Sequence, residues 1–110
     1  MKIPKSVNIN GHNYKVIITT SDKFLSGKHK IGHVEILSSG AMGECEFPTR
    51  IIRLNKEIKG DLLYYTFLHE IRHGFQFEMG WPQLLSPQVM EIDCETFVSF
   101  AMSLKKQGIV

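Results

Sequence analysis

The sequence predicts an α+β fold in which a small antiparallel or mixed sheet of about four strands packs on two helices. Alternating segments rich in β-branched residues occupy the first half of the chain, and turn residues separate them. Two long segments with helical periodicity and clear boundary residues occupy the second half. Strands followed by helices favour an α+β arrangement, and the 110 residues are expected to form one domain, 1–110.

The first predicted element is a β-hairpin with Asn10-Gly11 at its turn. Both central positions of a type I′ turn need positive φ, which Asn and Gly tolerate. On the return arm, Tyr14, Val16 and Ile18 fall on one face of the strand. The sequence therefore predicts strands at 6–9 and 12–19.

Further strands are predicted at 31–37, 44–47 and 50–55, with a loop at 21–30 and a turn at 38–43. Pro48 lies between the last two strands, and proline cannot donate to a strand ladder. It is therefore expected to mark a break, a bulge or a sheet edge.

The first helix is predicted to begin at Asp61, as its N-cap, and to run to about residue 79 before Gly80. At ~100° per residue, one apolar stripe predicts the packed face of this helix, and its members are Tyr64, Leu68, Ile71 and Phe75. The second helix is predicted from the Ser86-Pro87 start to Lys106, ahead of Gly108. It is expected to pack against the first helix because the connection between them is short.

The first helix carries an HExxH motif at His69-Glu70-Ile71-Arg72-His73. Residues four apart on a helix differ by only ~40° in direction, so His69 and His73 can share one metal ion. Glu70 is placed to act as general base toward a water on that ion. The motif therefore predicts a hydrolytic metal site, with His69 and His73 as ligands.

A catalytic zinc site usually has three protein ligands, and the second helix offers the third. Glu91 and Glu95 share a face that is expected to be buried, whereas Asp93 is expected on the solvent side. Burying a carboxylate without a partner costs several kcal/mol, so a cation there would explain Glu91. Glu91 is predicted as the third ligand, with Glu95 accepting the free ring N–H of a ligand histidine. An ion pair with Arg72 or lysines is the alternative.

The metzincin pattern of glycine and histidine beyond the motif is absent, since Gln76 and Met79 occupy those places. The segments LHEIRH at 68–73 and EIDCETFVSFA at 91–101 instead resemble minimal gluzincin metallopeptidases of the ImmA/IrrE type from bacteria or phages. That resemblance implies a zincin-like fold. It also implies a substrate-pairing edge strand before the motif helix, formed by Ile51, Ile52, Arg53 and Leu54. Cys94 and Glu95 depart from the family pattern, which has a small residue and an amide there.

Three functions are compatible with these residues. The leading prediction is a cytoplasmic, zinc-dependent endopeptidase with one Zn²⁺ ion and a protein or peptide substrate. Tyr64, Tyr65, His33 and Arg72 remain open as stabilisers of the oxyanion. One alternative is a non-catalytic, zinc-bound protein-interaction module of a phage or mobile element, with Cys45 or Cys94 as a fourth ligand. The other is a metal-free domain of such an element.

Composition and charge set the expected partners. Net charge is only +2, and 22% of residues are charged. The sequence has no run of adjacent basic residues of the kind that binds nucleic acid. No apolar window approaches the ~18 residues that a membrane span needs. Two cysteines without a signal segment favour a reducing, cytoplasmic compartment. The expected partners are thus a protein or peptide substrate and a protein that completes the open cleft, with no membrane and no nucleic acid.

Overall fold

The structure is a computed structural model that describes residues 2–20, 23–24, 35–36 and 42–109, with 35–36 described by backbone alone. Within these ranges the chain forms strands followed by two long helices, joined by a 3₁₀ turn at Trp81–Gln83. The strands are β1 Ser6–Ile9, β2 His12–Thr19, β3 Glu35–Ile36, β4 Gly43–Phe47 and β5 Ile51–Asn55, and the helices are α1 Gly60–Glu78 and α2 Pro87–Lys106. The predicted loop at 21–30, most of the strand at 31–37 and most of the turn at 38–43 lie outside the described residues.

The described strands form one mixed sheet in the order β1-β2-β5-β4-β3. Strands β2 and β5 pair in parallel, and the other neighbours are antiparallel. Four of these strands have at least four residues, and β3 adds a two-residue edge. The predicted α+β class with a mixed sheet and two helices is therefore confirmed.

The Asn10-Gly11 hairpin is confirmed. Ile9 pairs with His12, and the two turn residues have φ values of 49° and 88°, as a type I′ turn requires. Tyr14 and Val16 are buried in the core, whereas Ile18 near the strand end is 47% exposed.

The predicted substrate edge strand is wrong. Ile51, Ile52, Arg53 and Leu54 lie in β5, which pairs with β2 on one side and β4 on the other. Both edges of β5 are thus hydrogen-bonded to other strands of the same chain. The strand that packs most extensively against the motif helix is instead β4.

The side chain of Arg53 is also committed elsewhere. Its Nη1 atom lies 2.9 Å from Glu44 Oε2 and 2.7 Å from Glu46 Oε1. Side chains alternate along a strand, so both glutamates lie on the opposite face of β4 from Gly43. Gly43 faces Thr66 and Glu70 of α1. The Arg53 side chain therefore lies on the face of the sheet away from α1.

Helix α1 packs with a different face from the predicted one. Its buried residues are Thr66, Phe67, Glu70, His73, Gly74, Gln76 and Phe77, whereas Tyr64, Leu68, Ile71 and Phe75 are half-buried. The reason is that α1 is covered twice, by the sheet and by α2, so polar residues with internal partners can occupy the buried face. The helix also begins earlier than predicted, with Lys59 as N-cap and Asp61 in the first turn.

Helix α2 has the predicted bounds. Ser86 caps it by accepting a hydrogen bond from the Val89 N–H, and Gly108 beyond its end has φ of 76°. Its buried residues are Met90, Cys94 and Val98, one turn apart. No helix in the described ranges is long and apolar enough to cross a bilayer.

Candidate metal centre

The two motif histidines lie one turn apart on α1 and face α2. Their ring centroids are 4.9 Å apart, and the rings are nearly perpendicular. The side chain of His73 is fully buried, and that of His69 is 12% exposed. His73 does not belong to the apolar stripe that was predicted to pack, yet its side chain is completely buried.

Glu91 bridges the two rings from the second helix. Its Oε2 atom lies 3.1 Å from His69 Nε2, and its Oε1 atom lies 2.8 Å from His73 Nε2. Desolvation would raise the pKa of Glu91, but hydrogen bonds to both histidines outweigh it and lower the pKa to about 2. Glu91 is therefore a carboxylate at any working pH.

Glu95, one turn further along α2, approaches the other nitrogen of the first histidine. Its Oε1 atom lies 3.4 Å from His69 Nδ1, and its Oε2 atom accepts a hydrogen bond from the Tyr65 hydroxyl. The side chains of Glu91 and Glu95 are 41% and 54% exposed. They border the buried stripe of α2 rather than lying within it, which corrects the expectation that both would be buried.

The Nδ1 atom of His73 faces the helix interface. It lies 2.9 Å from Gln76 Oε1 and 3.4 Å from Cys94 Sγ. Gln76 in turn donates to Asp93, and Arg72 pairs with the same carboxylate. Asp93 was expected on the solvent side, but these partners hold it in the interface, so that expectation is wrong.

The two histidines face more hydrogen-bond acceptors than two neutral imidazoles have N–H groups to donate. A neutral imidazole carries one N–H, yet both nitrogens of His69 face carboxylate oxygens. Both nitrogens of His73 likewise face oxygens, from Gln76 and Glu91. A proton or a metal ion must therefore lie between each Nε2 atom and the Glu91 oxygen that it faces. Imidazole nitrogen and carboxylate oxygen are the ligands that Zn²⁺ accepts.

Glu70 and the start of β4 close one side of this cluster. A cavity of about 110 Å³ is lined by Met42, Gly43, Tyr65, Thr66, His69, Glu70, Glu91 and Glu95. The side chain of Glu70 is buried there, with the residue 2% exposed. A Cβ atom on Gly43 would lie 2.8 Å from Thr66 Cγ2 and 3.3 Å from Glu70 Cγ. Glycine at this position therefore lets α1 approach β4 closely enough for Glu70 to reach the cavity.

The two cysteines do not extend the set of oxygen and nitrogen ligands around Glu91. Cys94 lies on the Nδ1 side of His73, whereas Glu91 lies at Nε2, so the two face opposite edges of the ring. Cys45 is fully buried and does not line the cavity. Burial raises the pKa of both thiols, which favours their neutral form.

Two overlapping sets of side chains place one ligand atom each within 4.8 Å of one another. One is His69, Glu91 and Glu95, and the other is His69, His73 and Cys94. The predicted ligand trio His69, His73 and Glu91 is not itself one of these sets, although each histidine faces its own oxygen of Glu91. The structure thus groups His69, His73, Glu91 and Glu95, while Glu70 lines a cavity with His69, Glu91 and Glu95 but not with His73.

Sequence reasoning missed Gln76 and Gly43. Gln76 had been noted only as a departure from another motif, although its place three residues after His73 puts it on the neighbouring helix surface. Nothing in the sequence could place Gly43 against Glu70, because that contact depends on how α1 packs on the sheet.

Comparison of the chain with protein-family models, with curated proteins and with solved structures finds no match in any of the three.

Proposed function

We propose that this protein is a zinc-dependent metallopeptidase with a zincin-like arrangement, related to the minimal gluzincins that its motif helices resemble. One observation carries the proposal. The Nε2 atoms of His69 and His73 both face Glu91, at a cavity that Glu70 also lines. A motif that merely occurs by chance on a helix would not need a carboxylate from the next helix at this position.

His69, His73 and Glu91 would hold one Zn²⁺ ion. Bound there, zinc supplies a Lewis acid that acidifies water and polarises a substrate carbonyl. The set of two imidazoles and one carboxylate leaves a position for water or substrate. The placement of Cys94 behind His73 supports this open site over a closed structural one.

Glu70 would act as general base. It follows the first ligand in sequence and lines the same cavity, so it accepts a proton from the attacking water. It then returns that proton to the amine that leaves when the peptide bond breaks.

Tyr65 is the best-placed donor for the charge that develops on the carbonyl oxygen. It lines the cavity, and its hydroxyl reaches Glu95 beside the metal ligands. Arg72 pairs with Asp93 and Tyr64 lies beneath the Lys105 ammonium, and neither residue lines the cavity. The Tyr65 hydroxyl would turn from Glu95 to the substrate oxygen. His33 lies outside the described residues. Hydrogen-bond donors aimed at such charge commonly contribute about 10²–10³ in kcat.

The substrate would lie in a groove that continues from the metal cavity between the helices. Tyr65 and Glu95 line both the cavity and this groove, which extends past Ser99 and Met102 to Lys106. An extended peptide spans about 3.3 Å per residue, so several residues beyond the cleaved bond would contact α2. This path replaces the strand pairing with β5 that the sequence predicted.

The experiment that tests the proposal compares zinc content and peptide cleavage in wild type, two site variants and one control variant. Wild type should bind one zinc ion and cleave members of a proteome-derived peptide library. Glu70→Gln should keep the zinc and lose cleavage, whereas Glu91→Ala should lose both. Glu57→Gln is the matched control, because Glu57 is an exposed glutamate in the turn between β5 and α1. Cleavage that survives in Glu70→Gln would refute the mechanism.

One observation favours a second function, a zinc-bound protein-interaction module. The outer face of α2 exposes large apolar side chains, including Ile92 at 66% and Phe100 at 63%, and exposed apolar groups often mark contact surfaces. In that case the wild type would bind zinc yet cleave no library peptide. Zinc would then stabilise the α1–α2 pair without chemistry.

A further inference from the structure

Gln76 is a fully buried polar residue in the interface between α1 and α2. Its amide nitrogen donates to the Met90 carbonyl at 2.9 Å and to Asp93 Oδ2 at 2.8 Å. Its amide oxygen lies 2.9 Å from His73 Nδ1. The amide nitrogen also lies 3.4 Å from Cys94 Sγ, so both the nitrogen and the oxygen of the amide are engaged.

The two acceptors beside the nitrogen determine which way the amide points. Amide nitrogen and oxygen are assigned from the hydrogen-bond network. Rotating the Gln76 amide by half a turn would put its oxygen against a carbonyl and a carboxylate, two acceptors that cannot donate. Oε1 therefore faces His73, and His73 Nδ1 must carry the proton that it accepts.

Fixing the proton on Nδ1 leaves the lone pair of neutral His73 on Nε2, the nitrogen that faces Glu91. Without Gln76, the favourable alternative would be the opposite tautomer, in which Nε2–H donates to the Glu91 carboxylate. That tautomer has no lone pair available at the proposed metal position.

We infer that Gln76 is a positioning residue that holds His73 in its metal-binding tautomer. Asp93 orients the Gln76 amide, and Arg72 orients Asp93 through paired hydrogen bonds at 2.8 Å and 3.2 Å. Because the ligand role of His73 belongs to the proposed function, this inference deepens that function. Partners that orient ligand histidines typically change metal affinity by about 10–100-fold when removed.

An amide suits this position better than a carboxylate. Glutamate at 76 would still accept from His73, but its second oxygen would face Asp93 and the Met90 carbonyl. Exchanging the groups, as in Gln76→Glu combined with Asp93→Asn, restores a donor between the two side chains and keeps the net charge. This pair therefore separates hydrogen-bond direction from packing.

The test begins with the metal-free protein, so that it does not depend on zinc binding. Long-range ¹H–¹⁵N spectra report whether Nδ1 of His73 carries a proton. Wild type should show a proton on Nδ1, in addition to any proton shared between Nε2 and Glu91, and Gln76→Leu should lose the Nδ1 proton. Gln88→Leu, at an exposed position on α2, should leave His73 unchanged.

Zinc affinity, measured by competition with a chelator, is the second readout. We expect about 10–100-fold weaker binding in Gln76→Leu and in Gln76→Glu. The Gln76→Glu/Asp93→Asn double variant should recover at least about tenfold relative to Gln76→Glu, while Gln88→Leu should match wild type.

Unchanged His73 protonation and zinc affinity in Gln76→Leu would overturn the inference. If that variant does not fold, a double variant that binds zinc no better than Gln76→Glu alone would overturn it instead. A wild type that binds no zinc would refute the proposed function, yet the spectra of the metal-free protein would still decide the role of Gln76.

Discussion

Arg72 and Asp93 form a two-point ion pair that joins α1 to α2, with Nε–Oδ2 at 2.8 Å and Nη2–Oδ1 at 3.2 Å. The guanidinium carbon also lies 4.5 Å from the Phe75 ring centroid and 5.0 Å from that of Phe97. Planar stacking and forked hydrogen bonding together are properties of arginine that lysine lacks. The residue inside the HExxH motif therefore serves helix packing.

Arg72→Lys should lower the free energy of unfolding by about 1–2 kcal/mol, because one forked pair and its stacking are lost while the charge remains. Urea unfolding measures the change. Arg50→Lys, at the Arg50–Glu78 ion pair, gives a comparison away from α2. Equal stability of Arg72→Lys and wild type would contradict this account.

Zinc should stabilise the folded protein. A ligand that binds only the folded state at a free concentration of about 100 times its Kd adds ~2.7 kcal/mol to the free energy of unfolding. Thermal unfolding with and without zinc should show this gain in wild type and not in Glu91→Ala. A gain of equal size in Glu91→Ala would exclude Glu91 as a ligand.

Tyr65→Phe should reduce kcat by about 10²–10³ with a small change in KM, because the phenol would act mainly on charge that develops during the reaction. Zinc affinity should stay near the wild-type value. Tyr64→Phe, one residue away and outside the cavity, is the matched control. If Tyr65→Phe mainly weakens zinc binding, the tyrosine instead acts by holding Glu95.

Stability should depend on pH through Glu78. Its hydrogen bond from Arg50, opposed by desolvation and aided by Tyr14, lowers the pKa of Glu78 below its ordinary 4.5. A carboxyl with a lowered folded-state pKa contributes stability above the unfolded pKa, and the contribution is lost as pH falls through the folded value.

Glu78→Gln should therefore cost about 1.5–3 kcal/mol at neutral pH, as for hydrogen bonds to charged groups, and progressively less below pH ~4. Urea unfolding across this range measures the difference from wild type. Glu57→Gln should show no such dependence. A difference that stays constant down to acid pH would argue against the Arg50 pair as its source.

Gly74 should not tolerate alanine, although alanine normally favours a helix. An added Cβ would lie 2.7 Å from Ile9 Cδ1 and 3.1 Å from Tyr14 Cε2. Overpacking of this kind typically costs about 1–3 kcal/mol. Ile9→Val removes the closest atom, so the Gly74→Ala/Ile9→Val pair should be more stable than the sum of the single changes predicts. Simple additivity would show that the crowding is relieved by other means.

Elements with local signals could be predicted from the sequence. The Asn10-Gly11 turn sets the hairpin, because positive φ at both positions is a property of those residues themselves. Ser86, Pro87 and Gly108 likewise set the ends of α2 through backbone preferences within one turn. The spacing of His69, His73, Glu91 and Glu95 placed these residues on facing helix surfaces, and the structure brings them together.

Properties that depend on a partner distant in sequence could not be predicted this way. Strand β5 is internal because β2 pairs with it in parallel across 30 or more intervening residues, and strand composition does not specify its neighbour. Asp93 faces inward because Arg72 and Gln76 on the other helix satisfy it.

The sequence by itself determined the ends of α2, the hairpin and the types of side chain available to a cation. Only the tertiary structure decided which face of α1 is buried, which strand borders the cavity and which groups face each nitrogen of His73. The physical reason is the separation along the chain over which each interaction acts. Backbone preferences act within a few residues, whereas burial and hydrogen-bond direction depend on groups that meet only after the chain has folded.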